Sequence, residues 1–270
     1  PWAPSLDWRT PGAPYQSAAM LTRILSDRAA SSQPLSGGTD RPFESAPATL
    51  SFTLAATAIL CSSPLQAQFG SQQVITTDVD NAYCVYATDL DGDGDTDVLS
   101  ASVWDDKIAW YENLGSGMFG PQQVITTAAK GAASVYATDL DGDGDADVLS
   151  ASYYDDKIAW YENLGSAAFG PQQVITTAAD EATSVYSTDL DGDGDADVLS
   201  ASDSADKIAW YENLGGGAFG PQQVITTDVD SAYSVYATDL DGDGDADVLS
   251  ASILDRSEER RVGKECRSRW

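Results

Sequence analysis

Short apolar runs of similar length recur along most of the chain with a spacing of 50 positions. Four such runs fall in each period, and they alternate with loops rich in Asp, Gly, Asn and Ser. Runs of this kind, rich in Val, Ile, Thr and aromatic residues and bounded by turn residues, predict β-strands. In the second period the predicted strands are Ser134–Thr138, Asp147–Ser152, Lys157–Tyr161 and Gln173–Thr177.

The repeating part of the chain divides into three complete units and a fourth that stops early. The units are 69–118, 119–168, 169–218 and 219–255. A period of this size with four strands per unit is typical of the blades of a β-propeller, whereas the rungs of a parallel β-helix are much shorter. We therefore predict an all-β fold: an incomplete β-propeller of four-stranded antiparallel blades, with three full blades and most of a fourth.

Aromatic residues stand at a constant place on the third strand of each unit. The pairs are Trp110-Tyr111, Trp160-Tyr161 and Trp210-Tyr211. Neighbouring blades diverge with distance from the propeller axis, so the wider outer gap needs large rings, while the inner strands need small residues. The first two strands are rich in Val, Ala, Ser and Thr, and we interpret the aromatic pairs as packing between blades rather than as a ligand cage.

The charge of the chain limits what the units can bind. The 270 residues carry a net charge of −29, and residues 69–255 hold four lysines against 36 acidic residues. Such a negative surface repels phosphate backbones, so we expect no nucleic-acid partner. Histidine is absent from the chain. His-ligated zinc sites and the common Ser-His and Cys-His nucleophilic mechanisms are thereby excluded.

Between the first and second strands every unit contains an acidic loop, Asp-Leu-Asp-Gly-Asp-Gly-Asp-(Thr/Ala)-Asp. Its five carboxylates repel one another at neutral pH unless a cation lies among them. Oxygen-only ligands select a hard cation, and several carboxylates with a backbone carbonyl suit Ca²⁺ better than Mg²⁺. An EF-hand does not fit, because Ser100 stands where that motif has a bidentate Glu and because strands flank the loop. We predict one Ca²⁺ per repeat, four in all, rather than a merely solvated acidic loop.

The predicted ligands occupy the same five positions in each loop, which follow a DxDxDGxxD spacing. The fourth acid contributes its backbone carbonyl, and the glycine before it, Gly94 in the first loop, allows a tight turn. The full set of predicted metal-binding residues is Asp89, Asp91, Asp93, Asp95, Asp97, Asp139, Asp141, Asp143, Asp145, Asp147, Asp189, Asp191, Asp193, Asp195, Asp197, Asp239, Asp241, Asp243, Asp245 and Asp247.

The Phe-Gly pair at the start of each unit, the DxDxDG loop and the 50-residue period resemble the FG-GAP or VCBS-type repeats of integrin-like β-propellers. The resemblance covers residues 69–255. It implies that the loop between the first two strands binds calcium and that loops on the opposite face engage partners. Propellers of the family usually close with about seven blades, so this chain supplies only part of a ring.

The units differ from one another mainly in two connections, the link before the first strand and the turn after the second. The links are 78–83, 128–133, 178–183 and 228–233, and the turns are 103–106, 153–156, 203–206 and 253–255. In an up-and-down blade both connections emerge on the face opposite the acidic loops. The variation indicates either drift in unconstrained loops or recognition of a protein or carbohydrate. Under the second interpretation Trp104, Tyr153 and Tyr154 are the candidate partner-binding residues.

Both ends of the chain differ from the repeats. Residues 1–68 include an apolar run at 48–60, which is too short to span a membrane and which predicts a secretory signal cleaved after Ala67. The basic tail 256–270 resembles a translated sequencing adapter, so we expect the chain to be a fragment of a protein that continues beyond the repeats. The predicted location is secreted or cell-surface, with no transmembrane segment.

The three cysteines predict no disulfide framework. Cys61 lies in the targeting segment, where a lipoprotein attachment fits poorly because the preceding Leu60 is large, and Cys266 lies in the tail. Cys84 stands where the second unit has Ser134. We expect it to behave as a serine-like residue rather than as a reactive thiol.

These features favour a secreted, calcium-stabilised propeller that serves binding or adhesion at a cell surface. We do not expect an enzyme, because the candidate acid pair Asp105-Asp106 recurs as Asp155-Asp156, whereas catalysis usually needs one asymmetric constellation. The alternatives are the propeller portion of a secreted polysaccharide-active enzyme and a passive spacer in a larger surface protein.

Overall fold

The structure is a computed structural model, and it describes residues 21–23, 71–254 and 261–262. Contacts within the chain separate residues 22–73 from the rest, and the blades described below belong to the other unit. Among the described residues, no helix is long and apolar enough to cross a membrane.

Two strands precede the blades, β1 at Leu21–Arg23 and β2 at Gln73–Thr76. The predicted signal segment at 48–60 lies outside the described residues. Of the tail at 256–270 the structure describes only β17, at Arg261–Val262. The signal and adapter interpretations therefore stay predictions.

Three sheets repeat the same arrangement, in which four antiparallel strands follow one another in chain order. Blade 1 contains β3 Ala82–Thr88, β4 Asp97–Ser102, β5 Lys107–Tyr111 and β6 Gln123–Thr126. Blade 2 contains β7 Ala132–Thr138, β8 Asp147–Ser152, β9 Lys157–Tyr161 and β10 Gln173–Thr176. Blade 3 contains β11 Ala182–Thr188, β12 Asp197–Ser202, β13 Lys207–Tyr211 and β14 Gln223–Thr226. The predicted all-β architecture of four-stranded antiparallel blades is confirmed.

The register of each blade places its loops at the two opposite ends of the strands. In blade 2, Thr138 at the end of β7 pairs with Asp147 at the start of β8, so the acidic loop joins the two strands at this end of the sheet. Ala132, at the other end of β7, faces Ser152, and the register shifts between Ala132 and Ser134. The variable connections therefore emerge at the opposite end of the strands from the acidic loops, as the up-and-down topology requires.

Blade 4 is incomplete. It consists of β15 Ala232–Thr238, β16 Asp247–Ser252 and β17. Leu249 pairs with Arg261, whereas in blade 3 the equivalent Leu199 pairs with Trp210, so the third strand is displaced by one residue from the 50-residue period. β2 has the Gln-Val-Ile-Thr sequence of the outer strands but does not join this sheet. The described sheets thus form an open, incomplete propeller.

The hydrophobic core lies between blades. Between blades 1 and 2, Leu99, Ile108 and Trp110 pack with Val135 and Tyr161 in one cluster. The same arrangement recurs between blades 2 and 3, and it recurs without the tyrosine between blades 3 and 4. The three tryptophans of this strand are 3–7% exposed, and the tyrosines beside them are fully buried. Their predicted role as packing between blades is confirmed.

A second contact between blades involves the inner strands, and the sequence analysis did not anticipate it. Tyr86, Tyr136, Tyr186 and Tyr236 form a row in which successive ring centroids lie 4.6–4.9 Å apart. The expectation of small residues on the inner strands is therefore incomplete at this position. Tilted rings in contact are a favourable aromatic geometry, and here they fill the space between adjacent inner strands.

Hydrogen bonds accepted by a serine on the inner strand also join neighbouring blades. The N–H of Val185 in blade 3 donates to Oγ of Ser134 in blade 2 at 3.2 Å, and the same bond recurs between blades 3 and 4. In blade 1 the thiol of Cys84 takes this position, and its sulfur lies 3.7 Å from the carbonyl oxygen of Val135. Sulfur is a weak donor and acceptor, so this link is the weakest of the series.

We expect Cys84→Ser to stabilise the protein, because a hydroxyl can make the bond that Ser134 makes. The free energy of unfolding should rise by about 0.5–1.5 kcal/mol, the usual net value of one hydrogen bond. Urea unfolding of the two proteins measures the difference, and Ser134→Cys is the reverse control, which should lower stability. An unchanged unfolding midpoint in both variants would contradict the role of this position.

Candidate metal centres and binding cavity

Each acidic loop is shaped by its own side chains. In the second loop the carboxylate of Asp139 accepts hydrogen bonds from the N–H groups of Gly142 at 2.7 Å and Gly144 at 3.0 Å. Both glycines have positive φ, 84° and 97°, a conformation that glycine adopts at no steric cost. An added Cβ at either position would meet no atom within 4 Å. Backbone conformation rather than crowding therefore requires glycine here.

Three of the five acids in each loop converge. One carboxylate oxygen from each of the first, second and fifth acids lies within 4.8 Å of the other two. The groups are Asp89, Asp91 and Asp97; Asp139, Asp141 and Asp147; Asp189, Asp191 and Asp197; and Asp239, Asp241 and Asp247. Ca²⁺ holds its oxygen ligands at about 2.3–2.6 Å, so oxygens at this separation fit around one such ion.

The third and fourth acids of each loop lie outside these groups, although the sequence spacing also predicts them as ligands. In the second loop the N–H of Asp145 donates to Oδ1 of Asp143 at 2.9 Å. Both residues keep access to solvent. Their part in metal binding stays a prediction.

The fifth acid is buried where it meets the sheet. Asp147 is fully buried, and its two oxygens accept hydrogen bonds from the N–H groups of Leu140 at 2.9 Å and Asn163 at 2.7 Å. Loss of solvent raises the pKa of the Asp147 carboxyl to about 6, and the charge of Asp141 adds to the rise, while the hydrogen bonds oppose it. The pKa of Asp197 is raised to about 6 for the same reasons. A cation beside these carboxylates would favour their ionised form.

The asparagine of the Asn-Leu-Gly turn belongs to this site, although the sequence analysis treated it only as a turn residue. Asn163 is fully buried. Its Nδ2 donates to the carbonyl oxygen of Leu90 in the preceding loop at 2.8 Å and to that of Ala146 in its own loop at 3.1 Å. Asn213 likewise donates to Leu140 at 2.8 Å. The sequence feature that could have indicated this role is the constant spacing of 16 residues between the fifth acid and the asparagine.

A cavity of about 1090 Å³ lies on the opposite face, surrounded by all four blades. Every residue that lines it comes from the two connections in which the repeats differ. The candidates Trp104, Tyr153 and Tyr154 all line it, together with Tyr83 and Tyr233. Trp104 and Tyr154 are 51% and 56% exposed, so their rings are accessible to a ligand.

Tyr153 is held as part of the cavity wall. Its hydroxyl donates to the carboxylate of Glu181 at 2.8 Å and lies 3.4 Å from that of Asp203. Burial and the bond to Glu181 raise the pKa of Tyr153. Tyr83 and Tyr233 also line the cavity, and their hydroxyls are hydrogen-bonded, which brings blades 1 and 4 into contact.

Blades 3 and 4 contribute the acids of the cavity, Asp203, Asp206 and Asp230. Asp203 accepts a hydrogen bond from the hydroxyl of Ser231, and Asp206 accepts one from the Ser231 N–H at 2.8 Å. Blades 1 and 2 contribute four of the five aromatic residues named above, and blade 4 contributes Tyr233. The cavity therefore presents both aromatic rings and carboxylates, and they meet where the Tyr153 hydroxyl lies beside Asp203.

The acid pair considered for catalysis is engaged in structural contacts. Asp105 forms an ion pair with Lys107 at 2.7 Å, and Asp106 accepts a hydrogen bond from the N–H of Gly131 in the next link at 2.8 Å. Blade 2 repeats both contacts. These acids hold the turn and the following link together.

The blades and their acidic loops define a β-propeller-like repeat protein with a group of carboxylates at one end of every described blade. The sequence model of the FG-GAP-like repeat matches residues 89–150, 139–200 and 189–250, together more than half of the chain. The chain therefore belongs to the FG-GAP-like repeat family, as the resemblance predicted.

Solved structures with the same kind of fold include a lectin of Agrocybe aegerita that recognises non-reducing terminal N-acetylglucosamine. It is 21% identical with a TM-score of 0.51, and the match covers 68% of this chain and 52% of the lectin chain. The V. cholerae biofilm matrix protein Bap1 is 23% identical with a TM-score of 0.38, over 66% of this chain and 25% of that chain. This chain thus spans about half the length of the lectin. A search of curated proteins gives no match.

Proposed function

We propose that this protein is a calcium-binding propeller module, secreted or held at a cell surface, that binds a neutral carbohydrate in the cavity of its variable face. One observation carries the proposal. All residues lining the cavity come from the connections in which the repeats differ, whereas the strands and acidic loops are nearly constant.

Exposure does not lead to differences at every position of these units. On the acidic-loop face, Leu114, Leu164 and Leu214 are 53–63% exposed, yet the residue is the same in all three units. Exposed positions on that face can therefore stay constant, although the turn that follows them does vary, as at Met118, Ala168 and Ala218. Variation concentrated around one cavity is typical of a surface whose side chains were selected for a ligand.

The chemistry of the cavity suits an uncharged sugar. The exposed rings of Trp104 and Tyr154 offer flat apolar surfaces with a polar edge, on which the apolar face of a sugar ring can stack. The carboxylates of Asp206 and Asp230 can accept hydrogen bonds from sugar hydroxyls. The strongly negative charge of the repeats disfavours acidic ligands. Ligand sites commonly have volumes of about 300–1,000 Å³, so the cavity has room for a short oligosaccharide.

Calcium binding and export complete the proposal. Family membership and the converging carboxylates support one Ca²⁺ in each loop, where the first, second and fifth acids would hold it. The bound ion would supply positive charge that offsets the repulsion among these acids. The apolar segment at 48–60 supports export. The Agrocybe aegerita lectin, which has a similar fold, recognises a sugar, and adhesion through surface glycans would follow from the same activity.

We propose binding rather than catalysis for this face. The acid pairs Asp105-Asp106 and Asp155-Asp156 are committed to an ion pair and a backbone hydrogen bond. Their repetition from blade to blade also suits a role in holding the connections. The cavity combines carboxylates with accessible aromatic rings, a composition that favours recognition.

We expect the calcium-loaded chain to bind neutral glycans on a glycan array in preference to sialylated or sulfated ones. Trp104→Ala and Tyr154→Ala should each weaken binding about tenfold or more, as removal of an aromatic anchor does in a recognition site. Leu164→Ala is the matched control, because it removes an equally exposed apolar side chain from the other face and should leave binding unchanged.

Three results would contradict the carbohydrate proposal. The first is the absence of binding to any neutral glycan. The second is glycan binding that both aromatic variants retain, which would place the site elsewhere. The third is a protein or basic peptide ligand that depends on Trp104 and that no sugar displaces.

A further inference from the structure

A continuous series of hydrogen bonds joins the acidic loops of blades 1, 2 and 3. In the first loop the N–H of Leu90 donates to Oδ2 of Asp97 at 3.0 Å. The carbonyl oxygen of the same Leu90 accepts the bond from Nδ2 of Asn163 at 2.8 Å. The backbone N–H of Asn163 donates to Oδ1 of Asp147 at 2.7 Å. One asparagine thus contacts a loop in blade 1 and a metal-group acid in blade 2.

The series continues in the same way to blade 3. Asp147 accepts from the N–H of Leu140 at 2.9 Å, and the carbonyl oxygen of Leu140 accepts from Nδ2 of Asn213 at 2.8 Å. The N–H of Asn213 then donates to Oδ1 of Asp197 at 2.8 Å. Asn163 and Asn213 are 0% and 1% exposed, so water does not compete for these bonds.

The bonded leucine lies within the predicted metal site. Leu90 is placed between Asp89 and Asp91, which both belong to the first converging group. Fixing the carbonyl group of Leu90 therefore limits the freedom of the two acids beside it. A loop whose carboxylates are already ordered loses less conformational entropy when it binds an ion.

We infer that Asn163 and Asn213 are positioning residues that couple neighbouring calcium loops, so that the loops of blades 1, 2 and 3 bind Ca²⁺ cooperatively. This inference rests on the calcium binding of the proposed function. When Asp147 is ordered, its hydrogen bond fixes the position of Asn163. Asn163 in turn fixes the carbonyl group of Leu90 in the preceding loop. Because coupling between two sites is reciprocal, the effect runs equally in both directions.

The chain contains two internal controls. By the 50-residue period the position of Asn213 in the fourth unit is Gly263, and with the one-residue displacement of the third strand it is Lys264; neither residue carries a side-chain amide. Sites 3 and 4 should therefore bind independently. Asn113 in blade 1 donates to the carbonyl oxygen of Thr96 in its own loop at 2.9 Å. Among the described residues Asn113 makes no hydrogen bond to another acidic loop, so truncating its side chain disturbs the first loop but leaves the hydrogen bonds between loops in place.

The test follows each loop separately during a Ca²⁺ titration of the isotope-labelled chain. Gly94, Gly144 and Gly194 donate to the first acid of their loops at 3.0–3.1 Å, so their amide NMR signals report local binding. Asp141→Asn weakens the second loop while keeping an oxygen acceptor. It should lower the affinity reported by Gly94 and Gly194 about fivefold, the lower end of usual coupling between sites.

The asparagine variants identify the path of the coupling. In the Asn163→Ala background, Asp141→Asn should change the affinity at Gly94 by less than twofold, while its effect at Gly194 persists through Asn213. Asn113→Ala should leave the response of Gly94 to Asp141→Asn unchanged. A full response of Gly94 in the Asn163→Ala background would overturn the inference.

A comparison without asparagine variants tests the inference even where Asn163→Ala does not fold. Asp241→Asn in the fourth loop should leave the affinity at Gly194 within twofold, whereas Asp141→Asn should lower it about fivefold. Equal responses would overturn the coupling through asparagine. If the glycine signals titrate independently, calcium binding stands and the coupling fails. If none responds to Ca²⁺, the proposed calcium binding itself fails.

Discussion

Removal of divalent cations is expected to lower the melting temperature of this protein by roughly 20 °C or more. An ion present at about 100 times its dissociation constant adds about 2.7 kcal/mol per site when sites are treated as independent, and favourable coupling would add to this sum. The described residues contain four converging carboxylate groups. For a domain of about 150–250 residues each kcal/mol corresponds to roughly 2–4 °C. Circular dichroism melts with Ca²⁺ at this excess and with a chelator measure the change.

The physical reason is repulsion among the acids. Without a cation, each loop holds five carboxylates within nine residues, and the fifth is packed against the sheet. Magnesium is the control ion, because its strict octahedral geometry suits this loop less well, so it should restore less of the stability. Return of the original melt on adding excess Ca²⁺ shows that the chelator acts through the ion. A melt that is identical with and without the chelator would rule out structural calcium.

Trp160→Ala is expected to destabilise the protein by about 3–5 kcal/mol, the usual range for truncating a buried tryptophan. Trp160 is 3% exposed and packs with Val185, Val198 and Tyr211 between blades 2 and 3. An added Cβ at Gly217 would approach this ring to 2.4 Å, so the surrounding turn is fitted closely to it. Urea unfolding of the calcium-loaded protein measures the loss.

Trp104→Ala is the matched control for this substitution. It deletes the same side chain at a position that is 51% exposed on the variable face, and its effect on the free energy of unfolding should stay within about 0.5 kcal/mol. The same variant is expected to weaken ligand binding. Under the proposed function one tryptophan serves stability and the other recognition, and equal destabilisation by the two variants would contradict this division.

Much of the fold follows from local patterns in the sequence. The predicted strands of the second unit match the observed ones to within two residues, as with Ser134–Thr138 against Ala132–Thr138. The strands are predictable because both faces of each sheet are buried, which makes the apolar runs continuous, and because Asp and Gly residues mark the loops. The place of the Trp-Tyr pairs follows from the geometry of diverging blades.

Part of the candidate site could also be read from the sequence. The spacing of the acids predicts a metal loop, and the convergence of Asp139, Asp141 and Asp147 agrees with it. The link of Asn163 to Leu90 spans 73 residues and depends on how two blades are placed side by side. The row of inner-strand tyrosines depends on the same placement. No local pattern contains this information.

The sequence by itself determined the type and order of the strands within the repeats, the acidic loops and the two connections that vary. Strand formation, turn geometry and charge repulsion act over a few residues and therefore leave a local record. Only the tertiary structure decided that the variable connections of four blades surround one cavity lined by both rings and acids. It alone showed that buried asparagines join successive acidic loops, because both arrangements arise where separate blades pack together.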